Sequence, residues 1–193
     1  LETAFCVLPL LSFYYDDRTR TLAAVLLPLI LSSSYSSSST TTTSSSSSSS
    51  SSSTTSSSPP PSPSTQQLWA LTYSPLCKAL LEEVSVDVHK YLFVSFWKCV
   101  QIMGVHSHDP ERLQVSSQVL FRVLEKYLTV QKKRLITQPT DIDDIEKKKN
   151  EQNSEKEDEI IAVIFKCHVS IFQIYGVTYL SAFEPTLSVV LRM

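Results

Sequence analysis

Apolar residues recur at spacings of three and four along most of the chain, and polar punctuation divides them into four regions. In residues 1–31, Phe5, Leu8, Leu11 and Tyr15 share one helical face before the polar break Asp16-Asp17-Arg18. Leu22-Ala23-Ala24 and Leu26–Leu31 follow it. Two helices joined by a tight turn account for this pattern, with Asp17 capping the second by accepting a hydrogen bond from its free N–H groups. Residues 66–104 form a second pair. Its first helix carries Leu68, Trp69, Leu71, Tyr73, Leu76, Cys77, Leu80 and Leu81. Pro75 removes one intrahelical hydrogen bond, so that helix is expected to kink there or to begin at Ser74. Ser85 is the expected cap of the next helix, whose inner stripe is Val88, Tyr91, Leu92, Phe96, Cys99 and Met103. Gly104 supplies the left-handed residue that ends it.

A third pair spans residues 105–175. Asp109-Pro110 opens it as a cap followed by proline in the first turn, where the missing N–H costs nothing. Leu113, Leu120, Val123, Leu124 and Tyr127 mark its buried face, and Ile160, Ile164, Cys167, Ile171 and Tyr175 mark that of its partner. Between them lies a charged insertion, 140–159. Its Asp141–Glu159 stretch holds nine acidic residues against four lysines and reads as an acidic loop or an exposed helical extension. After the turn at Gly176, residues 176–193 begin the first helix of a further, truncated repeat through Tyr179, Leu180, Phe183, Leu187, Val190 and Leu191. The units are roughly 40 residues long once insertions are set aside, the period of HEAT and armadillo repeats. The predicted fold is therefore all-α: a HEAT-type solenoid of antiparallel helix pairs. One tract interrupts it. Residues 32–65 are almost entirely Ser, Thr and Pro, lack the apolar surface that would offset their ordering entropy, and are expected to be disordered. A tolerated loop insertion is the plain reading of this tract; a phosphorylation or O-glycosylation platform is the other.

Composition sharpens this picture. Gly104 and Gly176 are the only glycines among 193 residues. Phosphate-binding loops and turn-rich sheets depend on glycine for positive φ and close backbone approach, so a Rossmann fold, a P-loop and a sandwich are disfavoured. A net charge of −2 argues against direct nucleic-acid binding. Cys6, Cys77, Cys99 and Cys167 are widely spaced within apolar stretches, where free cysteine behaves as a small hydrophobe, and a reducing compartment suits them. The chain begins at Leu1 and stops at Met193 inside an apolar run, the look of a piece of a longer protein. Residues 4–11 lack a basic leader and a cleavage site, and Leu22–Leu31 is too short to span a bilayer. Val169–Phe183 is the best membrane candidate, closely bounded by Lys166 and Glu184.

Candidate chemistry is sparse. His106, His108 and Asp109 could contribute to a zinc site, but a fourth ligand at suitable spacing is missing, and an inter-helix loop is the simpler reading. His89 and His168 sit on or beside packing stripes and read as structural. No GxSxG elbow accompanies the serines. Asp143-Asp144 lies in a polar stretch unsuited to general acid–base work, which needs a partly desolvated cleft. Lys147-Lys148-Lys149 reads as a solvated charge run. No catalytic, cofactor or metal site is assigned.

The run Val7-Leu8-Pro9-Leu10-Leu11-Ser12-Phe13-Tyr14-Tyr15-Asp16-Asp17-Arg18-Thr19-Arg20 resembles a HEAT helix pair of the importin-β (karyopherin-β) family, in its importin-five (importin beta-3) branch. Ala23-Ala24 and Pro28-Leu29-Ile30-Leu31 resemble the helix that follows. The similarity resumes at Trp69, at Ala79-Leu80-Leu81 and at Phe96-Trp97-Lys98-Cys99-Val100-Gln101-Ile102-Met103-Gly104. It continues through the acidic insertion and then Ser170-Ile171-Phe172, Tyr175, Leu180 and Phe183-Glu184. The serine tract departs from the family's short connection, and residues 106–138 drift from its pattern.

The resemblance implies the middle-to-C-terminal repeats of a receptor that binds protein cargo for import into the nucleus and releases it to Ran-GTP. The receptor would act in cytoplasm and nucleus, without enzymatic activity, cofactor, nucleic acid or membrane. Ran-GTP would bind through repeats absent from this chain. Family receptors hold basic cargo on acidic concave surfaces, which nominates Asp141, Asp143, Asp144, Glu155, Glu157, Asp158 and Glu159 as a cargo-facing surface. Glu83, Asp87 and Gln101 are further candidates on second helices. Two other readings stay open: another HEAT or armadillo interaction scaffold, and a small membrane protein anchored by Val169–Phe183. Repeats bury their faces against neighbours, so this chain alone should expose apolar ends and dissolve poorly. A sharp, reversible thermal transition of the isolated monomer would contradict that expectation.

Overall fold

A computed structural model describes residues 6–12, 15–36, 62–136 and 144–191, and all regular structure among them is helical. A 3₁₀ turn, Leu8–Leu11, precedes α1 (Asp17–Ser36). Then come α2 (Pro63–Glu82), α3 (Val86–Met103), α4 (Pro110–Ile136), α5 (Asp144–Tyr175) and α6 (Leu180–Val190). The helices form two layers. The 3₁₀ turn, α2, α4 and α6 make one; α1, α3 and α5 make the other, where α3 packs against α1 on one side and α5 on the other. The 3₁₀ turn, α2 and α4 each also contact the second-layer helix that follows in sequence, which is the antiparallel-pair stack the periodicity predicts.

The core runs continuously between the layers. Trp69, Leu76 and Leu80 of α2, Leu92, Phe93 and Phe96 of α3, Leu120 and Leu124 of α4, and Ile160, Ile164 and Ile171 of α5 are buried in it. Gly104 has φ 52° and ψ −131°, a region open in practice to glycine, and Gly176 also has positive φ at 54°. Each ends a second-layer helix and turns the chain back to the first layer.

Several boundaries differ from expectation. Before Asp16 the described residues 6–11 are helical, as expected, and close as the 3₁₀ turn Leu8–Leu11, but Tyr15 is exposed rather than on a buried stripe. The cap of α1 is Asp16, not Asp17: its carboxylate accepts from the Thr19 N–H (3.1 Å) and the Thr19 hydroxyl (2.7 Å). α1 continues through Ser36, and the Ser33 and Ser34 hydroxyls donate back to the Ile30 carbonyl. At the other end of the serine tract, Ser62 Oγ accepts from the Thr65 N–H (3.2 Å) and caps α2, and Thr65 is fully buried. Serine and threonine thus serve as helix termini here, the positions their short side chains favour. Residues 37–61 of the expected insertion lie outside the described residues. α2 begins at Pro63 and passes through Pro75 without ending. Of the two readings of the charged segment the helical extension holds from Asp144 on, where α5 starts; residues 140–143 lie outside the described residues.

Ser85 makes no side-chain cap at α3. The carboxylate of Glu83 instead orders the link ahead of α3, accepting from the N–H groups of Val84 (2.9 Å) and Ser85 (2.8 Å). The same oxygen accepts from Arg20 (3.0 Å), whose guanidinium also reaches Asp17 and the Tyr15 carbonyl, and the Ser85 hydroxyl donates to Asp17. Arg20 and Glu83 side chains are 6% and 5% exposed. Removing one partner of a buried pair strands the other charge, so Glu83→Ala should lower stability by about 3–5 kcal/mol in urea denaturation. Asp17→Ala, at an exposed carboxylate, should cost less than about 1 kcal/mol.

Candidate partner-binding face

The side of the second layer turned away from the first is exposed on three adjacent helices that run in the same direction. Parallel register follows from the cross-links: Ser85 with Asp17, Asp87 with Lys156, Lys90 with Glu159, and Trp97 Nε1 with Ser170 Oγ. Along α1 the exposed positions include Arg18, Leu22, Val25 and Leu29; along α3, Asp87, Tyr91, Lys98 and Gln101; along α5, Glu151, Glu155, Ala162, Lys166, Val169 and Gln173. These positions recur at helical spacing and form one surface. Its edge at the N-termini of α1 and α3, level with residues 155–159 of α5, is rich in carboxylates, and Asp87 in the first turn of α3 complements that helix's dipole; α5 itself runs back past this edge to Asp144.

The proposed cargo-facing acids divide accordingly. Asp141 and Asp143 lie outside the described residues, and Asp144 is the first residue of α5. Glu155 is exposed. Glu157 is buried, its side chain 5% exposed, and both oxygens accept from Arg134 (2.7 and 2.6 Å), so it holds α5 to α4 instead of facing a partner. Asp158 accepts from Gln131 of α4 (2.5 Å), and Glu159 accepts from Lys90 of α3 (2.5 Å) while remaining half exposed. Asp87 is exposed and bound to Lys156 (2.9 Å), Gln101 is exposed, and Glu83 is withdrawn into the buried pair with Arg20. Much of the acidic charge therefore stitches helices together. The sequence could not separate these roles, because the partners lie 23 to 69 residues away.

The histidines are structural connectors. His89 donates from Nε2 to the Leu80 carbonyl (2.7 Å), which leaves Nδ1 to accept from the Tyr127 hydroxyl (2.8 Å). His108 lies between the hydroxyls of Ser107 (2.8 Å) and Ser116 (2.7 Å), edge-on to Tyr73, Phe96 and Tyr175. His168 bonds the Tyr179 hydroxyl through Nδ1 (2.7 Å) beside Phe183. His106 is exposed and stands apart from this network. Beside the 104–109 turn is an open pocket of about 540 Å³ lined by residues including Gln67, Val105, His106 and Arg112. Burial pushes the Cys77 and Cys99 thiols up to about 12, so neither is poised as a thiolate nucleophile. Among the described residues, no group of three or more His, Cys, Asp or Glu is placed to hold a metal.

Among the described residues one helical stretch, Glu151–Val190, is long and apolar enough to cross a membrane. Its apolar character serves the stack: Ile160, Ile164, Cys167, Ile171 and Tyr179 are buried, and the 3₁₀ turn Gly176–Tyr179 divides α5 from α6.

Two parallel-layered rows of antiparallel pairs, closed by glycine turns, define a HEAT-type repeat scaffold presenting an extended face. Residues 88–193, more than half of the chain, match the family model of Importin repeat 6, and the chain belongs to this importin-β (karyopherin-β) family. The fold is similar to that of Kap121p bound to Ste12p, with TM-score 0.66 and 17% identity. It is equally similar to the karyopherin Kap121p bound to the extreme C-terminus of the protein phosphatase Cdc14p, with TM-score 0.67 and 16% identity. Each match covers 92% of this chain and 14% of the Kap121p chain, so this chain spans about a seventh of that receptor's length. A comparison with curated proteins finds no match.

Burial lowers the pKa of His89, His108 and His168 from 6.5 to about 4 each. A histidine that protonates more readily when unfolded contributes stability that is complete above pH 6.5 and is lost as pH falls toward 4. Denaturation midpoints should therefore drop steeply between pH 6.5 and 4, with net proton uptake on unfolding. A midpoint unchanged across that window would contradict this environment for the three rings.

Proposed function

We propose that this chain is the cargo-binding part of a nuclear transport receptor that carries proteins into the nucleus in a Ran-dependent cycle. It would work as karyopherins do, by surface complementarity and without covalent chemistry. The observation that carries the reading is the exposed face of α1, α3 and α5 on a chain of the Importin repeat 6 family. The two Kap121p structures, each holding a protein partner, support the assignment. The importin-five type within the family is part of the proposal, as are shuttling between cytoplasm and nucleus and the supply of Ran-GTP binding by other repeats.

Basic cargo would meet the carboxylate edge, through Asp87, Glu151, Glu155 and the open side of Glu159, with Asp141, Asp143 and Asp144 as further proposed contacts. Burial removes Glu157 from this set. Long-range attraction there would speed encounter and weaken with salt.

A lysine-rich nuclear-localisation peptide should bind the 193-residue chain, and its affinity should fall between 50 and 200 mM salt. Asp87→Lys with Glu155→Lys should weaken it by about tenfold. Binding that ignores both changes would overturn the placement of basic cargo. Failure of the chain to bind any nuclear-destined protein would overturn the transport reading.

A further inference from the structure

Beyond its acidic edge the same face changes character. Leu22 and Leu29 of α1 are 60% and 59% exposed, Val25 is 43%, and Tyr91 of α3 is 43%. The register of the cross-links sets the Leu22–Leu29 stretch of α1 level with residues 90–97 of α3, and sets Lys166 of α5 level with residues 93–97 of α3. A strip of apolar side chains thus crosses from α1 to α3 and ends against two exposed lysines, with Val169, 53% exposed, beside them.

These lysines differ from those at the acidic edge. Lys90 is bound to Glu159 and Lys156 to Asp87. Lys98 and Lys166 make no ion pair or hydrogen bond with any described residue. Exposed positive charge beside unsatisfied apolar area fits an occupant that brings both apolar groups and a carboxylate, because each term alone is weak on an open surface.

Resting on the transport-receptor reading, we propose that this face takes a linear segment of a cargo protein with graded chemistry. Basic residues lie at the carboxylate edge, bulky apolar side chains fill the strip Leu22–Val25–Leu29–Tyr91, and an acidic residue meets Lys98 and Lys166. The face therefore selects cargo by the order of its charges, and a purely basic signal uses only half of it.

The test is fluorescence polarisation with the 193-residue chain and short labelled peptides. One peptide has the order basic, apolar, acidic; a second replaces its acidic residues with lysine; a third reverses the order. The first should bind tightest. The double variant Lys98→Glu with Lys166→Glu, both at exposed positions, should weaken the first peptide by about tenfold and strengthen the second. Equal binding of all three peptides to the unaltered chain, or a double variant that leaves the first unchanged, overturns the graded face. If the second peptide wins, basic cargo remains and only this inference falls. If no peptide binds, the transport reading falls with it. Sedimentation supplies the remaining outcome: a dimer that Leu29→Asp converts to monomer would assign the strip to a second copy and overturn the proposal.

Discussion

A helix pair with one apolar stripe is unstable alone, and everything in this chain follows from how α3 resolves that constraint. α3 lies over α2 and α4 of the first layer and between α1 and α5 of its own, so its Leu92, Phe93, Phe96, Cys99 and Met103 are almost fully buried. Its burial depends on two neighbours running in its own direction, and that direction brings the N-termini of α1 and α3 to one edge beside the charged middle of α5. Negative charge at that edge is held by cross-links to lysines, and at Asp87 also by the dipole of α3. The geometry of the exposed face is thus a by-product of core packing.

How much of this could be read from the chain depends on the range of the interactions. Local signals were legible: the stripes of α4 and α5, Gly104 and Gly176 at positive φ, and Asp109 capping α4 through the Arg112 N–H (2.8 Å); on the expected stripes of α3 and α6, by contrast, Tyr91, Leu180 and Leu187 are exposed. Where two local candidates competed, tertiary contacts decided. Asp17 was the expected cap of α1, but Arg20 and Ser85 engage it, and Asp16 caps instead. Ser85 was the expected cap of α3 and stands at the N-cap position, but its hydroxyl donates to Asp17 and caps no N–H of the helix. Glu157 and Glu155 look alike in sequence. One faces Arg134 in the interior and the other faces water, a difference set by the hundred degrees of helix rotation each residue adds.

The family assignment changes the meaning of the apolar stretch in α5 and α6. Considered by itself, that segment has the length and hydropathy of a membrane span. Within a HEAT stack, residues such as Ile160 and Ile171 are the inner stripe of a repeat, and the charged first half of α5 extends beyond them as a helix held by Arg134, Gln131 and Lys90.

The hydroxyl of Tyr175 sits at the 104–109 turn, within hydrogen-bonding reach of the Val105 and His108 carbonyls, the His108 N–H and Ser107. Trp69 of the preceding pair donates to the Ser107 carbonyl of the same turn (2.6 Å). One short loop is therefore riveted both to the repeat before it and to the last turn of the repeat after it. A spring made of such units would not bend freely at this coil. Its flexing would be displaced to joints without a rivet, and the curvature presented to a partner here would be nearly constant from one complex to the next.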